Sequence, residues 1–333
     1  MLANFKKIGV AAAVATAIGA AGAAQAVTLG EPGVALLVPH VLYDSTKQAD
    51  TMVGVTVGGS LYESCGNPTL HWYFFSDKSV HLADGAVASS CHDFVRIDWG
   101  YVITNPSRPF PGLDGVTGYL VIVNAEGSSV SDVDLYGSAY LIQGNWESEA
   151  YIPVLPLQKP ELTFKSGVLA DVNPVSAGMP LAYSSDVKAK FSLRYFLDPA
   201  LNGNTRLVTW FPENSTARTD MPIFVFDADE NAVSNIVSMP NELNVLCAGP
   251  STTVDCLNPS GIDGTTNDPT GHAIPDLAYG QPAIDSGFIW FEVADGPATP
   301  ASRGGIAFSL IGVGASSVQV QTDLAHERGV SNY

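Results

Sequence analysis

The chain has 333 residues, a formal net charge of −18 and only 14% charged residues, where ~25% is usual. So acidic a balance argues against binding nucleic acid or an anionic membrane surface through a basic patch. Its length suits two domains of about 100–150 residues each. Its low charge and many Gly, Pro, Ser and Thr residues suit an extracellular β protein.

Residues 1–26 come first. Lys6 and Lys7 form a positive head, Ile8 to Ala21 is an apolar Ala-rich run, and Ala24-Gln25-Ala26 offers a small-x-small cleavage site. This is the pattern of a cleaved signal peptide, too short to anchor in a bilayer. The mature chain is expected to start at Val27, to be secreted to the periplasm, outer surface or medium, and to hold no transmembrane segment.

Strand-like runs follow in the first half: Val34–Tyr43, Met52–Val57, Leu70–Phe75, Phe94–Trp99, Gly118–Val123, Gly137–Ile142 and Tyr151–Leu155. Each is rich in β-branched or aromatic residues and bounded by turn formers. Pro153, Pro156 and Pro160 then punctuate a stiff connector,. The second half repeats the style in Val187–Leu197, Thr205–Phe211, Ile223–Phe226, Leu243–Leu246, Phe288–Val293, Ile306–Ile311 and Val318–Gln321. Phe191, Leu193, Tyr195 and Leu197 alternate with Lys190, Ser192 and Arg194, the pattern of a strand with one face on a core. No mature segment shows a sustained helical period.

The expected fold is all-β, with two antiparallel β-sandwich (Ig-like) domains at 27–157 and 158–333 after the signal peptide. A membrane barrel needs strands of about ten residues with an apolar outer face, and most runs here are shorter. Two long loops stand out, Thr104–Thr117 and 248–286.

Cys65, Cys91, Cys247 and Cys256 make an even count in an exported protein, which implies disulfides,. Of the three pairings possible, Cys65–Cys91 with Cys247–Cys256 is expected, because each pair brackets a segment of its own half. Each bond would stabilise by roughly 3 kcal/mol through loop closure.

The common catalytic and cofactor signatures are absent: no Walker A loop, no dinucleotide fingerprint, no His-Glu-x-x-His and no nucleophile elbow. The densest chemistry lies in the first half. His71 shares a strand face with Tyr73 and Phe75, His81 follows a turn, and His92-Asp93 follows Cys91. Imidazoles on adjoining strands can hold copper or zinc, with Asp84 or Asp93 completing or orienting the set. The competing reading is of strand histidines bonded to backbone or water, and the short ligand spacings of a zinc site are missing. Trp146 sits in the polar turn Gly144–Glu149 and is the candidate ligand-binding ring, a platform for a sugar.

Leu37-Val38-Pro39-His40, Asp50–Val55, His71–Phe75, His81–Asp84, Arg194–Pro199 and Thr205–Pro212 together give the chain the look of a loose group. It resembles exported β-rich surface proteins of Gram-negative bacteria. That resemblance implies two extracellular β domains at the cell surface and carries over no functional residue. The leading functional expectation is a non-enzymatic surface protein with a structural, adhesive or assembly role, partnered by itself or by other surface proteins. Metal binding and carbohydrate binding are the alternatives.

Overall fold

The computed structural model describes residues 32–58, 67–107, 109–126, 129–130, 133–144, 146–157, 163–165, 168–171, 190–197, 204–211, 214, 216–227, 232–248, 285–292, 306–313 and 319–324. The fold is all-β and sandwich-like: the regular structure is antiparallel sheet, with one short α-helix among these residues. No helix among them is long and apolar enough to cross a membrane.

The first half supplies β1 (Ala35–Val41), β2 (Ala49–Val57), β3 (Thr69–Ser76), β4 (His81–Ala88), β5 (Phe94–Asp98), α1 (Trp99–Thr104), β6 (Gly118–Glu126), β7 (Ser129–Val130), β8 (Leu135–Gln143), β9 (Ser148–Ile152) and β10 (Leu155–Leu157). An outer sheet runs β5-β2-β8-β9. Against it lies an inner sheet, β10-β1-β6-β3-β4, with β7 paired to β6. In β2, Ala49, Thr51, Val53, Val55 and Val57 are buried, while Thr56 is exposed and Met52 and Gly54 are half-buried. Period-2 alternation therefore sets one face on the core and leaves the other to water.

After the small hairpin β11 (Thr163–Lys165) and β12 (Val168–Asp171), the second half supplies β13 (Lys190–Leu197), β14 (Asn204–Trp210), β15 (Met221–Asp227), β16 (Ala232–Val237), β17 (Leu243–Ala248), β18 (Asp285–Glu292), β19 (Ile306–Val313) and β20 (Gln319–Leu324). These make two sheets, β17-β14-β19-β20 and β13-β18-β15-β16.

All seven residues of β1 are buried, which requires cover on both faces of the inner sheet. Leu36 looks toward Gly137 and Val154 of the outer sheet's side. On the opposite face, Tyr119 meets Trp210 of β14 edge-on at 5.8 Å, and its hydroxyl donates to Glu242. β14 is itself buried on both faces. Val208 and Trp210 join the core of the first sandwich, whereas Leu207 packs with Phe191, Ile223 and Phe291 of the far sheet. Among the described residues, the first sandwich and the sheet β17-β14-β19-β20 therefore share an apolar layer, and that sheet's other face packs on β13-β18-β15-β16. His40 lies in the shared layer, fully buried. That burial, helped by the positive charge of Arg206, drives its pKa down to about 3,.

Three local expectations need correction. The run Phe94–Trp99 leaves the sheet at Asp98, whose carboxylate Oδ1 accepts the Tyr101 N–H at 2.8 Å and starts α1,. Six residues are too few to show a helical period, so the sequence reads as helix-free there. The run Tyr151–Leu155 is split between two sheets, β9 and β10. Finally, β4 and β16 are edge strands whose mixed polarity gave no strand signal.

Candidate functional site

β4 and β5 are the edge strands of the two facing sheets in the first sandwich. Between them no strand among the described residues closes the core, and a cleft of about 360 Å³ opens there. Trp72 on β3, Ile97 on β5, Val102 on α1 and Phe110 beyond it make an apolar floor. Trp72 stands edge-on to Trp99 at 5.6 Å and to Phe110 at 6.3 Å, so its ring is fixed by aromatic packing. Position 85 has to be glycine for the same ring: a Cβ there would lie 2.6 Å from Trp72 Cε2.

The rim is polar. Asp84, Arg96, Asp98, Tyr101 and Asn105 line it, and Tyr101 is 63% exposed. This wall stands where it does because α1 is tied down at both ends. At its start, Asp98 caps the helix and Asp50 of β2 accepts the Gly100 N–H at 2.7 Å. At its end, the Phe110 N–H donates to the Ile103 carbonyl at 3.0 Å and returns the loop to the helix. Burial pushes the Asp50 carboxyl up to about 6, and the charge of Asp98 adds to the effect against the Gly100 hydrogen bond,. Beside them, burial raises the Tyr43 hydroxyl, with Asp114, Asp50 and Asp98 acting in the same direction.

A concave site with an aromatic floor and a few converging polar groups is the usual form of a small-ligand site. Here the polar groups are the Asp98 carboxylate, the Arg96 guanidinium and the Asn105 amide, while the Asp84 carboxylate turns to His81 on the other face of β4. All three make directional, often paired hydrogen bonds to hydroxyl groups, and the rings offer flat apolar faces.

The residues expected from sequence fall elsewhere. His71, Tyr73 and Phe75 do share a face of β3. That face looks into the layer between the two sandwiches, and Tyr73 and Phe75 are buried in it. His71 and His81 flank Tyr73 with ring centroids 6.5 and 6.1 Å away, and His81 Nε2 stands 3.6 Å from Asp84 Oδ1. His92 and Asp93 lie in the turn after β4, His92 at φ +60°. Among the described residues no three His, Cys, Asp or Glu side chains are grouped to hold a metal ion. The structure therefore does not bring His71, His81, His92 and Asp93 together as one ligand set. Cys91 is disulfide-bonded. Cys247 falls within β17, and Cys65, Cys256 and most of loop 248–286 lie outside the described residues. Trp146 is 64% exposed in the β8–β9 turn. It sits at the opposite edge of the outer sheet from the cleft.

No family model matches the chain, and no curated protein does. Solved structures to which it is similar include the lectin of Pleurotus ostreatus in its apo form, at 10% identity over 91% of this chain and 80% of that one, with a TM-score of 0.18. The same lectin in complex with GalNAc covers 89% and 86% at 10% identity and TM-score 0.16. A glycosyl hydrolase family 2 member from Bacteroides cellulosilyticus is 10% identical over 92% of this chain and 28% of its own, with a TM-score of 0.15. Overlaps this slight leave the site to be judged on its own geometry.

Sequence reasoning missed the cleft. Its floor and rim come from β3, β4, β5, α1 and the loop beyond. The one local signal was Asp98 standing as a helix N-cap before Trp99-Gly100-Tyr101.

Proposed function

We propose that the chain is an exported, non-enzymatic binding protein of the cell surface whose ligand is a carbohydrate held in the β4–β5 cleft. The observation that carries this reading is Tyr101, 63% exposed at the lip of an aromatic floor. An aromatic ring left open to water beside Arg96, Asp98 and Asn105 suits a pyranose. Its C–H face stacks on the ring while its hydroxyls bond to the planar polar groups. The export pattern of residues 1–26 supports an extracellular setting, and an adhesive role follows if the sugar belongs to another cell or matrix.

A glycan array followed by calorimetry tests this. The wild-type protein is expected to bind at least one neutral glycan at micromolar to millimolar strength. Tyr101→Ala, an exposed substitution that leaves folding intact, is expected to weaken binding about tenfold or more. No glycan bound, or the same affinity in Tyr101→Ala, overturns the reading. Release of reducing ends from the bound glycan would overturn its non-enzymatic part.

A further inference from the structure

The cleft does not end at its rim. Arg96 and Asp98 project from the solvent face of β5, and so does Phe94 two residues earlier, by the alternation that buries Val95 and Ile97,. Across this face of the outer sheet, Thr56 lies between Phe94 on β5 and Tyr136 on β8. Tyr140 follows on β8 and meets Tyr151 of β9 edge-on at 5.8 Å. Phe94 is 63% exposed, and Tyr136 and Tyr140 are each 38% exposed. Apolar rings this open to water on one sheet face mark a contact surface.

Two glycines shape the rings. A Cβ on Gly54 would lie 2.7 Å from Phe94 Cζ, and one on Gly58 would lie 2.9 Å from Tyr136 Cε2. Both rings therefore recline across β2 and occupy the space that side chains at positions 54 and 58 would fill. Phe94 and Tyr136 are two strand spacings apart, about 10 Å, and Tyr140 stands about 13 Å beyond Tyr136 along its strand. Thr56, Ser138 and Arg96 stand in the intervals.

We propose that the ligand is a neutral polysaccharide chain that enters the β4–β5 cleft and continues over Phe94, Tyr136 and Tyr140 on the outer sheet. The inference rests on the carbohydrate reading of the cleft and deepens it. Separated flat rings with polar groups between them meet a chain of linked sugars at intervals, whereas a protein partner is met by a continuous apolar core. Charge selects a neutral chain. Asp50, Asp98 and Glu149 share this face with Arg96, and the whole protein is at −18. An anionic polymer is repelled.

The test compares di- and hexasaccharides of chitin, cellulose and β-1,3-glucan by calorimetry, with pull-down on the insoluble polymers. The proteins are wild type, Tyr101→Ala and the exposed triple variant Phe94→Ser/Tyr136→Ser/Tyr140→Ser. Thermal unfolding and sedimentation are run on each. For one of these polymers, the wild type is expected to bind the hexasaccharide at least about tenfold more tightly than the disaccharide. The triple variant is expected to lose that gain and the pull-down while still binding the disaccharide. Equal affinity for both lengths, or a gain that survives in the triple variant, overturns the chain and leaves the cleft reading standing. A wild-type dimer that dissociates in the triple variant also overturns it, assigning the face to self-association. Absence of disaccharide binding, or disaccharide binding that Tyr101→Ala does not weaken, defeats the cleft reading instead and takes this one with it.

Discussion

The Asp50 carboxylate on β2 accepts the backbone N–H of Gly100, 2.7 Å away at the root of α1, and stands against the Asp98 carboxyl that caps the same helix. A buried carboxyl beside a second carboxylate keeps its own proton to higher pH. Burial and this neighbour put Asp50 at about 6, against ~3.9 in an unfolded chain. The folded form binds more protons between those values. Its contribution is therefore full below pH 4 and is lost as the pH rises through about 6.

Stability is expected to fall by on the order of 1 kcal/mol between pH 4 and pH 7 from this group, after allowance for its partial contact with water. Asp50→Asn keeps an acceptor for Gly100 and offers an N–H to Asp98 at every pH. The variant should match wild type near pH 4 and exceed it at pH 7. Thermal unfolding of both proteins from pH 4 to pH 7 checks this; a constant difference across the range would refute it.

Gly85→Ala is expected to destabilise by about 1–3 kcal/mol, because a Cβ there collides with the Trp72 ring and a packed interior gives little,. Gly112, with nothing near its hypothetical Cβ, is the control: Gly112→Ala should change stability by a few tenths of a kcal/mol. Denaturant unfolding separates the two. The same collision displaces the floor of the cleft, so Gly85→Ala should also weaken sugar binding.

The strands were legible wherever burial is one-sided or complete. In β13 the alternation of Phe191, Leu193 and Tyr195 with Ser192 and Arg194 is the burial pattern itself. The stretch Ala35–Val41, apolar except at His40, was legible as a strand. That its second face meets another sandwich depends on Trp210, some 170 residues away, and no local pattern contains that. That His71, Tyr73 and Phe75 share a face was legible; that the face meets the layer holding Tyr119 and Trp210 was not. The edge strand His81–Ala88 escaped because its exposed positions need no apolar period. The cleft escaped because Trp72, Arg96, Tyr101 and Phe110 converge only once two sheets have stacked.

The joint between the sandwiches rests on Trp210, which is fully buried against Tyr119. Trp210→Ala is expected to cost about 3–5 kcal/mol. Tyr119→Phe keeps the ring and loses the hydrogen bond to Glu242, for about 1–2 kcal/mol. The two rings touch, so the double variant Trp210→Ala/Tyr119→Ala, in which each single removes a ring, should cost less than the sum of its singles,. Additive losses in a double-mutant cycle would show that the contact contributes nothing.

Arg218 is 2% exposed. Its guanidinium lies 4.3 Å from the centroid of the Phe211 ring, and its Nε donates to the Met239 carbonyl at 3.0 Å. A flat fork is needed to stack and donate at once, and a lysine ammonium does neither in that plane. Arg218→Lys is expected to destabilise by about 1–3 kcal/mol despite keeping the charge; a loss under 0.5 kcal/mol in denaturant unfolding would refute the stacking account.

Trp146 holds φ at +75° in the β8–β9 turn with most of its surface in water. A bulky side chain in the left-handed region is strained, and glycine is not. Here the local backbone preference opposes the residue present, and no burial offsets it. Trp146→Gly should therefore stabilise the hairpin by about 0.5–1 kcal/mol, while Trp146→Ala should leave stability within about 0.5 kcal/mol of wild type. Neither should alter binding in the cleft, which opens at the other edge of the sheet. Loss of glycan binding in Trp146→Gly, with Tyr101→Ala unaffected, would move the sugar to this turn.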